Sequence, residues 1–411
     1  MSDTNPASTT PSPCSNICCE PFFSHQDVPI TNPTSLSNPI SALFAESQFQ
    51  PQSDPKMAAH APAFNYAAIE PALRLASRFL TLDSVVKLIV VMADGDLRVE
   101  DEHGVFQATT WAEVDASRAA ARNPVDHYSA PSRHPKPEHK VVDDTMRRRA
   151  EDILTQAIPM MSIDLHTLSG YGGFTEAVLE PALPRSLAAT YPRGRRSRVH
   201  VGADLLALID HAGKCISASL DPTPEHPFHA PTALSFTFFR LARTLVHELF
   251  HALEMAYNGL SSHHAETFYG SAALSECGFE VENAIFGGIP LPLWICKSES
   301  VQYTFCAEAV GREQQTRFTD RIVLGPWPSE TYFRYYKHNG CLMGVRPNHH
   351  GSNADVLDRI DTRWVEQLLS ESFWEAGVGP GPLVLPKVGR MGWAWDESRE
   401  TALYTSEGVS G

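Results

Sequence analysis

The longest uninterrupted helical pattern in the chain covers residues 234–255, LSFTFFRLARTLVHELFHALEM, which contain neither proline nor glycine. Apolar residues recur there every three or four positions, a spacing that predicts a helix packed into a core. These positions are Phe238, Leu241, Leu245, Leu249 and Leu253. Asn258-Gly259 follows and supplies a stop signal, because glycine readily adopts the left-handed conformation that ends a helix.

Shorter patterns predict the elements around this helix. Helical spacing is present at residues 68–79, 143–158, 203–209, 271–288 and 355–370. Short apolar runs predict strands at residues 85–92, 163–168 and 198–201. For residues 85–92 (VVKLIVVM), the β-branched content favours a buried strand over a helix. We expect the strands near residues 163 and 198 to build a sheet that packs on the long helix.

Polar and turn-forming composition marks the segments in which we expect little regular structure. Residues 1–58 are rich in Ser, Thr, Pro, Asn and Gln and predict a disordered tail. Residues 122–142 are rich in Pro and His and predict a loop or linker, and residues 377–411 predict an irregular tail. The Gly170–Gly173 turn lacks the Gly-Lys-Ser/Thr of a phosphate loop, which argues against nucleotide binding.

Within the long helix, residues 247–251 read His-Glu-Leu-Phe-His. His247 and His251 stand at positions i and i+4, so both imidazoles project from one face and can share one Zn²⁺. Glu248 can reach a water on that zinc without being a ligand, which makes it the candidate general base. The alternative interpretation is a buried helix whose two histidines are only hydrogen-bonded.

A third protein ligand is needed if one zinc position is to stay open for water. Tyr257 and Glu254 occupy the positions at which the longer HExxHxxGxxH pattern has His and Gly, so that variant is excluded. Glu276, in the predicted helix at residues 271–288, is the preferred third ligand.

Other residues remain alternatives around this predicted metal site. Glu280 or Glu282 can hold an imidazole N–H. His263, His264 and Glu266, in the intervening loop, are rivals of Glu276 for the third ligand position. Candidates for holding a developing oxyanion lie further along the chain, and the sequence does not choose among them. They are Tyr332, Tyr335, Tyr336 and His338.

Charge and cysteine content narrow the class of protein. The chain of 411 residues has 33 Lys and Arg against 48 Asp and Glu, a net charge of −15 that argues against nucleic acid and anionic membranes as partners. The first 40 residues hold no secretory signal, and no apolar run approaches 18 residues, so we expect a cytoplasmic protein without a membrane span. Eight cysteines include no repeated CxxC pair, so a second zinc site has little support.

His247-Glu248-x-x-His251 followed by a glutamate on a following helix resembles the gluzincin group of zinc metallopeptidases. The stretch ECGFEVENAIFGG after HELFHA also resembles fungal zincin-like proteins without an assigned activity. The resemblance covers roughly residues 195–290. It implies a zincin fold, an edge strand above the metal that aligns an extended peptide, and hydrolysis of peptide bonds.

We therefore expect an α+β, zincin-like fold in which a mixed sheet packs on the HExxH helix, with a mainly helical C-terminal part. The expected organisation is a tail at 1–58, an N-terminal α/β segment and linker at 59–142, a catalytic core at 143–290, an aromatic-rich helical part at 291–376, and a tail at 377–411. The expected function is zinc-dependent cleavage of a peptide or protein substrate. The alternative is a non-catalytic zincin-fold binding protein with a structural zinc.

Overall fold

The computed structural model of the chain describes residues 34–50, 65–120, 131–166, 173–178, 188–189, 193–217, 230–259, 266–272, 274–292, 322–329, 344–345, 354–361, 363–396 and 401–405. In these stretches the fold is α+β, as predicted, with nine α-helices, two mixed four-stranded sheets and two antiparallel sheets of five and two strands.

The helices and strands are numbered in chain order. The helices are α1 (Tyr66–Leu80), α2 (Asp83–Asp94), α3 (Trp111–Ala120), α4 (Asp144–Ala157), α5 (Ala203–Ser217), α6 (Ala230–Asn258), α7 (Cys277–Phe286), α8 (Arg363–Leu368) and α9 (Glu371–Glu375). The strands are β1 (Phe49–Gln50), β2 (Asp96–Glu100), β3 (Phe106–Ala108), β4 (Ser132–His134), β5 (Met161–His166), β6 (Gly173–Val178), β7 (Arg196–Gly202), β8 (Phe268–Tyr269), β9 (Leu274–Ser275), β10 (Ile289–Pro292), β11 (Ile322–Gly325), β12 (Gly344–Val345), β13 (Ala354–Ile360), β14 (Lys387–Asp396) and β15 (Thr401–Thr405).

Helix α6 is the centre of the fold, and its prediction from the apolar spacing is confirmed. It packs against α1, α5 and α7 on its helical side and against β6 and β7 on its sheet side. Four aromatic rings join α6 to its neighbours at centroid distances between 5.4 and 6.1 Å, close to edge-to-face packing. They are Phe79, Phe239, Phe286 and Trp364. Gly259 ends the helix with a φ of 70°, in the role predicted for it.

The sheet beside α6 has the strand order β1-β5-β7-β6. Strands β1, β5 and β7 run parallel, and β6 pairs antiparallel with β7 and forms one edge among the described strands. The two strands expected near residues 163 and 198 are β5 and β7, so the prediction that they share a sheet against the long helix is confirmed. The sequence patterns predict no strand at β6, and they place Gly173, its first residue, in a turn.

Residues 85–92 form a helix and not the predicted strand, because they lie within α2. The apolar side chains at Val85, Ile89 and Met92 recur at helical spacing and are all fully buried. Helix α2 packs on α4 and α7, and the Ser84 hydroxyl donates to the Ala284 carbonyl at 2.6 Å. Tertiary burial therefore outweighs the preference of β-branched residues for strands.

The tail expected at residues 1–58 is wrong for residues 34–50, which pack on the body of the fold. Leu43 and Phe44 are buried, the Tyr66 hydroxyl donates to the Phe44 carbonyl at 2.9 Å, and β1 pairs with β5. A few apolar side chains inside a polar segment are enough to anchor it when a matching surface exists. The prediction of a loop or linker at 122–142 is also wrong for Ser132–His134, because these residues form β4, which pairs with β2 and β8.

The predictions of a mainly helical C-terminal part and of an irregular tail after it are also wrong for the described residues. The described residues there form a five-stranded antiparallel sheet in the order β10-β11-β13-β14-β15, and their helices, α8 and α9, have only six and five residues. The helix predicted at 355–370 is strand β13 followed by α8. Strand pairing joins residues far apart in sequence, so local composition did not reveal it. None of the helices in the described stretches combines the length and apolar character needed to cross a bilayer.

Candidate metal centre

Helix α6 presents His247 and His251 on one face, with ring centroids 5.0 Å apart. Their side chains are 15% and 16% exposed, and most of the described helix residues around them are buried. Both imidazoles therefore reach the same small volume, as their spacing predicted.

Glu276 completes a group of three donors with the two histidines. Its Oε1 atom lies 3.3 Å from His247 Nε2 and 2.9 Å from His251 Nε2. Its Oε2 atom accepts the main-chain N–H of Phe279, which makes Glu276 the N-cap of α7. The helix predicted at 271–288 begins only at Cys277. The residues before it include β9 (Leu274–Ser275), which pairs with β12. Capping fixes the carboxylate at the point where the chain turns towards α6.

The three donors are close enough together to hold one metal ion. Bonds of about 2.0–2.1 Å at tetrahedral angles place neighbouring donor atoms about 3.3 Å apart. The Glu276 oxygen lies near that distance from both Nε2 atoms, and all three ligand atoms lie within 4.8 Å of one another. Two imidazoles and one carboxylate are a common ligand set of catalytic zinc, which leaves one position for water or substrate.

A carboxylate lies behind His247. His247 Nδ1 is 2.8 Å from Glu282 Oε1, and Arg243 Nε lies 2.9 Å from Glu282 Oε2. A carboxylate that accepts the Nδ1–H leaves the lone pair of Nε2 free to point at a metal. Of the two acids considered from sequence for this role, the structure places Glu282 there, while Glu280 accepts the indole N–H of Trp327 at 2.7 Å.

Glu266 lies behind His251 in the same way. Its Oε1 is 2.5 Å from His251 Nδ1, and its Oε2 accepts the main-chain N–H of Cys277 at 2.6 Å. The Cys277 sulfur also lies 3.2 Å from His251 Nδ1. A separation of 2.5 Å is shorter than the spacing of two ligands on one zinc and is that of a strong hydrogen bond. This geometry favours an orienting role for Glu266, and Glu266, His251 and Cys277 also form a second group of donor atoms within 4.8 Å of one another.

Several sequence candidates lie outside the described residues. These are His263, His264, Tyr332, Tyr335, Tyr336 and His338.

The charges of the three donors depend on one another. Burial alone would lower the pKa of His247, but Glu276 and Glu282 outweigh it and raise that pKa to about 10. Burial likewise opposes protonation of His251, whose pKa is raised well above its usual value by the acidic groups of Cys277, Glu266 and Glu276. Burial disfavours an ionised Glu276, yet the two imidazoles lower its pKa. Without metal the centre is a cluster of ion pairs, and a bound cation has to displace protons from it.

Glu248 lies beside this cluster, and 5% of the residue is exposed. Its Oε2 accepts a hydrogen bond from the Thr175 hydroxyl at 2.8 Å. Burial raises the pKa of Glu248, and His247, His251 and Thr175 oppose that rise. The sequence did not indicate Thr175, because no local pattern links a threonine on β6 to a glutamate 73 positions later.

Gly278 and Glu280 on α7 shape the other side of the centre. A Cβ at Gly278 would lie 2.4 Å from His247 Nε2, so the backbone of α7 packs directly on that imidazole. Phe279 contacts His247 and Trp327 at ring-centroid distances of 5.0 and 5.2 Å. Burial, followed by the nearby Glu276 charge, raises the pKa of Glu280 to about 7 despite the hydrogen bond from Trp327.

No protein-family model, curated protein or solved structure matches this chain. Its function is therefore inferred from its own residues and their geometry.

Proposed function

We propose that this protein is a zinc-dependent peptidase with a zincin-like fold and a gluzincin-like ligand set. The single observation that carries the proposal is the placement of Glu276 Oε1 at 2.9 and 3.3 Å from the Nε2 atoms of His251 and His247. Their Nδ1 atoms both face carboxylates, as is usual for histidines that bind zinc.

His247, His251 and Glu276 would hold the ion. When bound, zinc supplies Lewis acidity, which polarises a scissile carbonyl and makes a water more acidic. Glu248 accepts the proton of that water and delivers it to the leaving amine. Its burial supports this role, because a carboxylate with a raised pKa holds a proton more readily between the two transfers.

Strand β6 supports a peptide substrate over a small one. It is an edge of its sheet among the described strands, it packs on α6, and it contacts the helix next to Glu248. An extended peptide can add to such an edge by main-chain hydrogen bonds, so that its scissile bond lies over the donors.

The test combines zinc content with cleavage of a peptide library. The parent is expected to bind one zinc and to cleave peptides, whereas Glu276→Ala and His247→Ala lose zinc. Glu248→Gln is expected to keep zinc and to lose activity by about 10²- to 10⁴-fold, as for a general base. Glu151→Ala, an exposed change on α4, serves as the control.

Each failure has a distinct meaning. Absence of zinc from the reconstituted parent would refute the metal site, and full zinc in Glu276→Ala would refute its third ligand. Full activity in Glu248→Gln would refute the general base. Zinc without cleavage of any peptide would instead favour a non-catalytic binding protein with a structural zinc.

A further inference from the structure

The Glu248 carboxylate is held by a hydroxyl from the neighbouring sheet. Thr175 Oγ1 lies 2.8 Å from Glu248 Oε2 and 3.0 Å from the Glu248 main-chain oxygen. The hydroxyl has one hydrogen, which it donates mainly to the nearer carboxylate oxygen and shares with the main-chain oxygen. The contact crosses from β6 to α6 and is part-buried, where a hydrogen bond to a charged group is stronger than at the surface.

The close approach of β6 to α6 depends on Gly173. A Cβ at that position would lie 2.7 Å from Thr244 Cγ2 and 3.0 Å from Glu248 Cγ. Gly173 and Thr175 are two positions apart on a strand, so both face the helix. The missing side chain at 173 therefore lets the strand lie close enough for the hydroxyl at 175 to reach Glu248.

We infer that Thr175 is a positioning residue for Glu248, one that selects which carboxylate oxygen takes the proton. The hydrogen bond from the hydroxyl makes Oε2 the less basic of the two oxygens, so Oε1 is the oxygen that takes the proton of the substrate water. A β-branched side chain has few χ1 rotamers, and the hydroxyl is therefore already in place before substrate binds. This inference rests on the proposed function, because it assigns a part of the proton transfer.

Kinetics of matched variants test the inference. Thr175→Val keeps the shape of the side chain and removes the hydroxyl, and we expect kcat to fall by about 10- to 100-fold, the usual effect of losing a hydrogen bond to a charged group. KM and zinc content should stay within about twofold, because the Thr175 side chain points at Glu248 and the substitution leaves the main chain of β6 unchanged. Thr175→Ser should restore most of kcat. Thr244→Val makes the same chemical change on the same contact between β6 and α6, and it should behave like the parent.

Infrared spectroscopy of the metal-free protein gives a readout independent of activity. The difference between each protein and its Glu248→Gln derivative isolates the Glu248 carboxyl band. Thr175→Val is expected to shift this band, whereas Thr175→Ser and Thr244→Val leave it in place.

Three results would overturn the inference. They are an unshifted band in Thr175→Val, a kcat of Thr175→Val equal to that of the parent, and a Thr175→Ser variant as slow as Thr175→Val. A parent that cleaves no peptide would refute the proposed function and, with it, the proton-transfer role of Thr175. A shifted band would then still identify the hydrogen bond that holds the carboxylate.

Discussion

Replacing Glu280 by glutamine should stabilise the protein, and increasingly so as the pH rises. Glu280 lies one turn beyond Glu276 on α7, and its carboxylate accepts one hydrogen bond, from Trp327, within the part of the chain that the structure describes. Burial and the charge of Glu276 raise its pKa from the ordinary 4.5 to about 7. The folded protein therefore binds the Glu280 proton more tightly than the unfolded chain does.

The sign and size of the effect follow from these two values. A raised folded-state pKa contributes stability that is fully present below pH 4.5 and is lost as the pH rises through about 7. At about 1.36 kcal/mol per pH unit, the gap corresponds to an upper limit of about 3 kcal/mol. Glutamine keeps an acceptor for the Trp327 indole and carries no charge, so it removes this loss.

Urea unfolding in the presence of a chelator measures the effect without any contribution from bound metal. The advantage of Glu280→Gln over the parent should grow by about 2 to 3 kcal/mol between pH 5 and pH 8. Glu151→Gln, an exposed change on α4, should show no such growth. A difference that stays constant between pH 5 and pH 8 would refute the reasoning, because it would mean that the Glu280 pKa is not raised by folding.

Two further predictions concern His247. Glu282→Gln should weaken zinc binding by about 10- to 100-fold, because the carboxylate 2.8 Å from His247 Nδ1 loses its charge. Competition with a fluorescent zinc chelator measures the affinity. An unchanged affinity would contradict the role of Glu282 in orienting His247. Gly278→Ala should abolish zinc binding and also lower the melting temperature of the metal-free protein, since its Cβ displaces the imidazole from Glu276 and Glu282, and that loss exceeds the about 1 kcal/mol by which alanine favours the helix. Full zinc occupancy in Gly278→Ala would refute this prediction, because it would mean that the backbone of α7 yields and His247 stays in place.

Elements set by residues close together in the sequence were predicted correctly, and elements set by contacts between distant residues were not. Helix α6 was predicted well because its apolar spacing and its glycine stop are local signals that agree with its packing. Residues 85–92 were assigned to the wrong element because a short β-branched run is compatible with a strand or a buried helix, and only its neighbours decide. Strands β14 and β15 were missed because glycine-rich composition hides pairing that depends on β13.

The candidate site shows the same division. The spacing of His247, Glu248 and His251 on one helix turn determines that two imidazoles and a carboxylate lie together, since helix geometry alone sets their positions. The local sequence also narrowed the third donor to a few acids and loop histidines. Only the tertiary structure placed Glu276 against both Nε2 atoms and Thr175 against Glu248. Those contacts join separate elements, because α7 and β6 both pack on α6. No local sequence pattern encodes that packing.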